Sequence, residues 1–350
     1  MNIYFVWILS FSLFTGQLGL LVILAWRKLK LSNREVAIDQ EYDFLSDSFS
    51  SYMIDTSDDR FIDEIQESPY KFVVLERLLN NYVSLTKAGV TSPIIAKLSE
   101  DFLAARYAKQ LNRRNWALRM NALHFIEDFH IQSLTPLLKK KLSTVSQLDQ
   151  EAQQLIRTLA SLNEPVTISV LGRYPNVSAR LYIDVFKRLD ELTKLEELDA
   201  ALKNEKDNKL LKQAAISYIG MAGLTLFLPR IEEELQYPDE EIRIQALKAL
   251  FHMQNMTTPE LLTPFLQSAS WQERMFSAQV AGALQLSRYK EKLSDLLGDP
   301  VWRVRYSSAE ALTKFSDGDI LLTHIANKHP DRYARDMATQ WKTSLLGSEQ

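Results

Sequence analysis

Basic residues recur along this chain at a nearly constant interval, and a fixed period of roughly 20 to 50 residues is the signature of stacked helical hairpins. Arg180, Lys212, Arg243, Arg274, Arg305 and Arg335 stand 32, 31, 31, 31 and 30 residues apart. Arg119 lies two periods before Arg180, with Gln150 in the slot between them. Four residues ahead of these eight anchor positions stand Asn115, Ser146, Asn176, Asn208, Asp239, Ser270, Val301 and Asp331. All but Val301 carry side chains that accept hydrogen bonds from the first free amides of a helix, so the pattern predicts helix N-caps there. At the exception, Asp299-Pro300 offers a cap and a first-turn proline two residues earlier, which predicts a slightly longer helix. Pro175, Pro238 and Pro330 directly precede caps, where proline separates one repeat from the next.

Three residues after the anchors the side chains are mostly small, as a close helix crossing requires: Ala122, Ala215, Ala246, Ser277, Ser308 and Ala338, with Gln153 and Ile183 in the two remaining slots. Trp116, Trp271 and Trp302 share one slot three before the anchor and read as core. Second apolar segments, such as Leu134 to Leu142, Leu224 to Leu235 and Leu261 to Leu266, lie between the anchored helices. Neither helix of such a hairpin can bury its stripe alone, so successive hairpins must stack. With only 10 Gly and 11 Pro in 350 residues, the fold class is all-α, a right-handed α-solenoid over residues 69–346. Helices at about Pro69 to Lys87 and Pro93 to Gln110 cap its start within 69–111, some eight repeats fill 112–346, and Asp331 to Leu346 closes the far end.

Gly298-Asp299-Pro300-Val301-Trp302-Arg303-Val304-Arg305, followed by Ala309-Glu310-Ala311-Leu312, resembles the short bacterial HEAT repeat of about 31 residues. Glu241-Ile242-Arg243 with Ala246 to Leu250 echoes it, and the resemblance covers roughly 112–345. It implies that the basic anchors pair with acidic groups near repeat boundaries, a structural role, and it carries over no catalytic residue. Tetratricopeptide and ankyrin signatures are missing.

Ahead of the repeats, no side chain charged at neutral pH occurs from Met1 to Trp26. As a helix, residues 3–26 would be about 36 Å long, enough to cross a hydrocarbon core of roughly 30 Å. Arg27, Lys28, Lys30 and Arg34 follow, so the basic flank places the C-terminal part on the cytoplasmic side. Residues 1–30 therefore read as a transmembrane anchor in a bacterial inner membrane, and no signal-peptide pattern competes. Ser12, Thr15, Gly16 and Gly19 form a small-residue stripe suited to a helix contact in the membrane. Residues 31–68 read as an acidic, partly disordered linker, with eleven carboxylates against Arg60 over 35–67, although interleaved Phe44, Leu45, Phe49 and Tyr52 leave docking open.

Little in the chain points to chemistry. There is no cysteine, hence no thiolate metal site or thiol nucleophile, and no Gly-rich phosphate loop or nucleophile elbow. His124, Glu127, Asp128 and His130 have a poor metal-ligand spacing, with His124 in a solvent-facing slot. No catalytic, cofactor-binding or metal residue is assigned, and no cofactor is expected. A net charge of -3 gives no general pull toward nucleic acid, which is not expected as a partner. The one basic concentration comprises Arg106, Lys109, Arg113 and Arg114 with Lys139, Lys140 and Lys141, a candidate surface for a partner or anionic lipid. Glu232, Glu233 and Glu234 read as an exposed acidic face. The resulting expectation is a non-catalytic, membrane-tethered scaffold for a protein partner. The alternatives are an accessory subunit of a membrane enzyme complex, such as envelope polysaccharide synthesis, and an enzyme without local motif, such as a HEAT-type lyase.

Overall fold

The computed structural model describes residues 3–86, 92–164, 166–203 and 208–347, and every regular element among them is helical. The chain divides into two compact units, Met1–Thr144 and Val145–Gln350. The repeat run expected over 112–346 is therefore split, its first anchored helix lying in the first unit.

The first unit contains α1 (Ile3–Ile54), α2 (Arg60–Glu67), α3 (Lys71–Thr86), α4 (Pro93–Phe102), α5 (Ala104–Gln110), α6 (Trp116–Phe129) and α7 (Thr135–Ser143). Every described side chain of α1 from Tyr4 to Val36 is exposed. Its C-terminal third is not. Leu45, Phe49 and Tyr52 are buried with Phe61 and Ile65 of α2, which packs with α1 and α3, and the Phe49 ring meets Phe61 at 5.3 Å. Over 31–68, where the sequence suggests a partly disordered linker, the chain is helical at 31–54 and 60–67, and it is packed from Leu45 on. Most of the acids there face outward while Leu45, Phe49 and Tyr52 fill the bundle, and Phe44 stays 65% exposed. Glu41 accepts from Ser68 at 2.8 Å, and Asp39 pairs with Arg77. The single helix expected over Pro93 to Gln110 is broken into α4 and α5 at the buried Leu103. Lys87, the expected end of α3, lies outside the described residues.

Among the described residues, no helix is long and apolar enough to cross a membrane. The expected span at 3–26 includes Ile3, Phe5, Val6, Ile8, Leu9 and Ser10, whose side chains lie outside the described residues.

The second unit contains α8 (Gln150–Ser161), α9 (Val166–Leu171), α10 (Ala179–Arg188), α11 (Glu191–Lys203), α12 (Lys209–Ala222), α13 (Leu228–Glu233), α14 (Glu240–Met253), α15 (Trp271–Ala283), α16 (Lys290–Leu296), α17 (Trp302–Thr313), α18 (Gly318–Lys328) and α19 (Arg332–Gly347). The anchored helices stack in chain order, α8 on α10, then α12, α14, α15, α17 and α19.

The anchors have a specific job. Arg243, Arg274, Arg305 and Arg335 each donate through Nη1 to the carbonyls six and five residues earlier, at 2.6 to 3.2 Å. Arg119 does the same in the first unit, at 2.9 Å to both Arg113 and Arg114. These carbonyls lie just ahead of the N-cap, so one guanidinium ties the incoming chain to the helix it starts. Lys212, too short for that fork, instead donates to Glu234 at 2.8 Å and sits 4.5 Å from the Tyr237 ring.

Two anchors are misplaced in the sequence pattern. Asp149 and Ser178, not Ser146 and Asn176, cap α8 and α10, accepting from Ala152 N at 2.8 Å and Leu181 N at 3.3 Å. The residues four after these caps are Gln153, which donates to Leu148 O at 3.4 Å, and the buried Tyr182, which accepts from Asn208 at 2.7 Å. Arg180 is exposed and makes neither carbonyl contact. With Gln153 and Tyr182 in register, the third residue after all eight anchors is fully buried: Ala122, Ile156, Val185, Ala215, Ala246, Ser277, Ser308 and Ala338 each show 0% exposure.

Three further expectations change. The helix α17 is not extended at its start, because the Asp299 carboxylate, which accepts from Val301 N at 2.8 Å, is also held by the guanidinium of Arg274 at 2.7 and 3.1 Å. Leu261 to Leu266 forms two 3-10 turns, Pro259–Leu262 and Phe265–Gln267, since Pro264 lacks the N–H that a continuous helix would need. Glu232 and Glu234 are buried, and only Glu233 is exposed. Glu232 accepts from the backbone N–H and hydroxyl of Thr257 and from Thr258 N at 3.2 Å, tying down the turn after α14.

Candidate functional site

Two surfaces stand out, one in each unit. In the first, α5 ends at Gln110, and a turn over 111–114 leads to Asn115, whose side chain caps α6 by accepting from Leu118 N at 3.3 Å. The Arg119 fork holds the carbonyls of Arg113 and Arg114. The backbone of the turn is thereby set, and its two arginine side chains join Arg106 and Lys109 of α5 around one groove of about 910 Å³. Phe72 of α3, Phe102 of α4 and Leu118 of α6 supply its apolar part. None of the lining residues is acidic.

Arg106 lies with its guanidinium carbon 5.0 Å from the Phe72 ring centroid and its Nε 3.5 Å from the Glu76 carboxylate. That pair is long for a hydrogen bond, and the buried Nε has no other acceptor. Burial holds the Glu76 carboxyl above its ordinary range, and Arg106 pulls it back only in part. Burial, followed by the neighbouring Glu76, likewise pushes up the Tyr107 phenol. Glu100, which with Asp101 shortly precedes Arg106 in sequence, is spent on Ser133, whose backbone N–H donates to it at 2.9 Å. Of the seven basic residues singled out in the sequence, the structure gathers Arg106, Lys109, Arg113 and Arg114. Lys139, Lys140 and Lys141 lie on α7 and do not line the groove. Phe72 and Phe102 were not legible as part of it, because they come from helices distant in sequence.

In the second unit, the tryptophan slot expected in the core is a surface feature. Trp302 is 52% exposed, as is 49% of Trp116 in the first unit, while Trp271 is half-buried. The slot lies in the first turn of each helix. Ala309, seven residues on and on the same side of α17, is fully buried, so cover by the next helix begins about 10 Å further along. Around Trp302 the rings of Tyr306 and Trp341 follow at 5.1 and 5.0 Å between neighbours. Arg305 lies 5.0 Å from the ring of Tyr333, which is 61% exposed. Arg303 lies 5.6 Å from the ring of Trp271. An aromatic and arginine surface therefore runs over α15, α17 and α19.

His124 is exposed, and His130 caps α6 in the left-handed region at φ 52°, its imidazole pushed below the ordinary value by burial. Among the described residues, no group of three or more His, Asp and Glu side chains is placed to hold a metal ion.

Residues 291–318, spanning α16 and α17 with Asp299, Arg305 and Ser308, match the HEAT repeat family. The chain carries a HEAT repeat. The same anchor and buried small residue recur in α15 and α19 on either side of this stretch, which gives an all-α repeat fold. No curated protein matches the chain. Among solved structures, it is similar to an engineered protein at 15% identity, covering 88% of this chain and 94% of that one, with a TM-score of 0.41. It is also similar to the complex of CpcE and CpcF of phycocyanin lyase from Nostoc sp. PCC7120, at 15% identity over 68% of this chain and 93% of that one, with a TM-score of 0.29. Scores this low carry no argument about the fold or activity of this chain.

Proposed function

We propose that the chain is a non-catalytic, membrane-tethered scaffold that holds a protein partner on the aromatic and arginine surface of α15, α17 and α19. The observation that carries this reading is the exposure of Trp302 and Tyr333 beside Arg303 and Arg305. Large rings left at a surface cost little to desolvate further, and Trp, Tyr and Arg are the residues that dominate binding energy at protein interfaces. On this reading the partner lies on the anchored helices rather than on the second helices.

The tether is the N-terminal part of α1. Its described side chains from Tyr4 to Trp26 are exposed, and no Asp, Glu, Lys, Arg or His occurs between Met1 and Trp26. Apart from Ser12, Thr15 and Gln17 its described side chains from Tyr4 to Trp26 are apolar, aromatic or glycine, and a bilayer suits an uncharged helix of that length. The basic flank at Arg27, Lys28, Lys30 and Arg34 favours a cytoplasmic C-terminal part at a bacterial inner membrane.

The test is capture of the full chain from native membranes after chemical cross-linking. A specific protein should be recovered, and a Trp302→Ala/Tyr333→Ala variant should recover at least tenfold less of it. Release of the chain by an alkaline carbonate wash would sink the tether. Equal recovery with the variant, or substrate turnover by the purified chain, would sink the scaffold.

A further inference from the structure

The groove of the first unit has a chemistry of its own, independent of the scaffold reading. Its lining includes four cationic side chains and no acid. Glu76 lies 3.5 Å from the Arg106 Nε but does not line the groove. Such a site is built for an anion. A single carboxylate would neutralise one of the four charges, whereas a phosphomonoester brings a charge of about −1.5 to −2 and three strong acceptor oxygens. Three of the four cations are arginines, whose planar forks match phosphate geometry better than an ammonium does. Arg113 and Arg114 stand on a turn whose carbonyls are already clamped, so little backbone ordering opposes binding. They sit directly ahead of α6, a 14-residue helix whose N-terminal dipole adds to the positive field.

The apolar part of the groove calls for more than inorganic phosphate. Phe72 is covered on one side by the Arg106 guanidinium, and Leu118 is 40% exposed although it lines a concave surface. About 910 Å³ falls within the range that encloses small organic ligands, roughly 300 to 1,000 Å³. We propose that this groove binds a phosphomonoester carried on an apolar group, with Arg106, Arg113 and Arg114 on the phosphate and Phe72, Phe102 and Leu118 against the apolar group. Two sources share this chemistry, a soluble phosphate ester and the headgroup of a phosphatidic-acid-like lipid.

Titration calorimetry on the full chain in neutral detergent micelles, with 1-naphthyl phosphate as the probe, tests the proposal. Saturable binding is expected, at least tenfold tighter than that of 1-naphthoate, 1-naphthol or inorganic phosphate. Arg113→Ala/Arg114→Ala, which alters only exposed side chains, should weaken it at least tenfold, and Arg106→Lys should weaken it with charge retained. Doping the micelles with phosphatidic acid then separates the sources. Competition with the probe identifies a lipid headgroup, and its absence a soluble ester. No saturable binding, equal affinity for naphthoate or inorganic phosphate, or an unchanged affinity in the arginine variants would overturn the assignment. The comparison among ligands on the unaltered chain stands even where a variant fails to fold.

Discussion

At the scale of single residues, the repeat depends on charges taken out of water and then satisfied. Lys212 and Glu234 are 4% and 10% exposed and paired at 2.8 Å. Replacing Lys212 with Met leaves a buried carboxylate alone and should cost about 3 to 5 kcal/mol, measured as the shift in denaturant unfolding. Lys212→Met/Glu234→Leu should recover most of that loss, because the desolvation penalty goes with the pair. Arg274 and Arg305 make the same two carbonyl bonds, but only Arg274 also holds a buried acid, Asp299. Arg274→Ala should therefore cost about 3 to 5 kcal/mol, and Arg305→Ala about 1.5 kcal/mol. At the surface, Lys209 donates to Asp239 at 2.7 Å and holds that carboxyl below its ordinary value of 3.8. A depressed acid stabilises the fold above its unfolded pKa and loses that contribution as pH falls through the folded value. The stability difference between the chain and Lys209→Met should accordingly shrink below about pH 4. The anchor slot was legible where the residue was Arg, because the fork serves the same carbonyls each time. It was not legible at Gln153 and Tyr182, where side chains of other types occupy the position and a nearby base, Arg180, falls close to the expected spacing.

At the scale of elements, helix-to-helix distance is set by what has been left out. A Cβ added to Gly220 would fall 2.5 Å from the Ala249 Cα, and one added to Gly282 would fall 2.5 Å from the Ala311 Cα. Both glycines stand eight residues after an anchor, facing an alanine six after the next one. Gly282→Ala should push α15 from α17 and cost about 1 to 3 kcal/mol. Gly172→Ala, whose nearest neighbour is at an ordinary 3.5 Å, should stay within about 0.5 kcal/mol. Denaturant midpoints by circular dichroism read both. Caps were legible at Asn115, Asn208, Asp239 and Asp331, where the basic anchor four residues on stands in true register. They were displaced where several polar residues compete, since Ser146 and Asp149 carry equally good acceptors and periodicity alone cannot choose between them. The second elements were the least legible. Two prolines turn 259–267 into 3-10 structure, and buried Glu232 looks like solvent-facing charge until the turn it caps is seen.

At the scale of the whole molecule, the repeat is written in the sequence because each hairpin must solve the same packing problem. The groove is not, because Phe72, Phe102 and Arg113 meet only in the folded unit. The aromatic surface was visible as a recurring tryptophan and read as core, since identity of slot does not tell how far the covering helix extends. The docked end of α1 was ambiguous for a related reason: acids and aromatic residues alternate there, and only the packing partners, Phe61 and Ile65, decide which set governs. The central claim is that a partner lies on the anchored helices α15, α17 and α19. It is tested most directly by a photoreactive residue placed at Trp302 or, in a second version, at Leu226, which is 74% exposed ahead of α13. On illumination of native membranes, the account predicts one protein adduct at position 302 and none at 226. An adduct at 226 with none at 302 would contradict it.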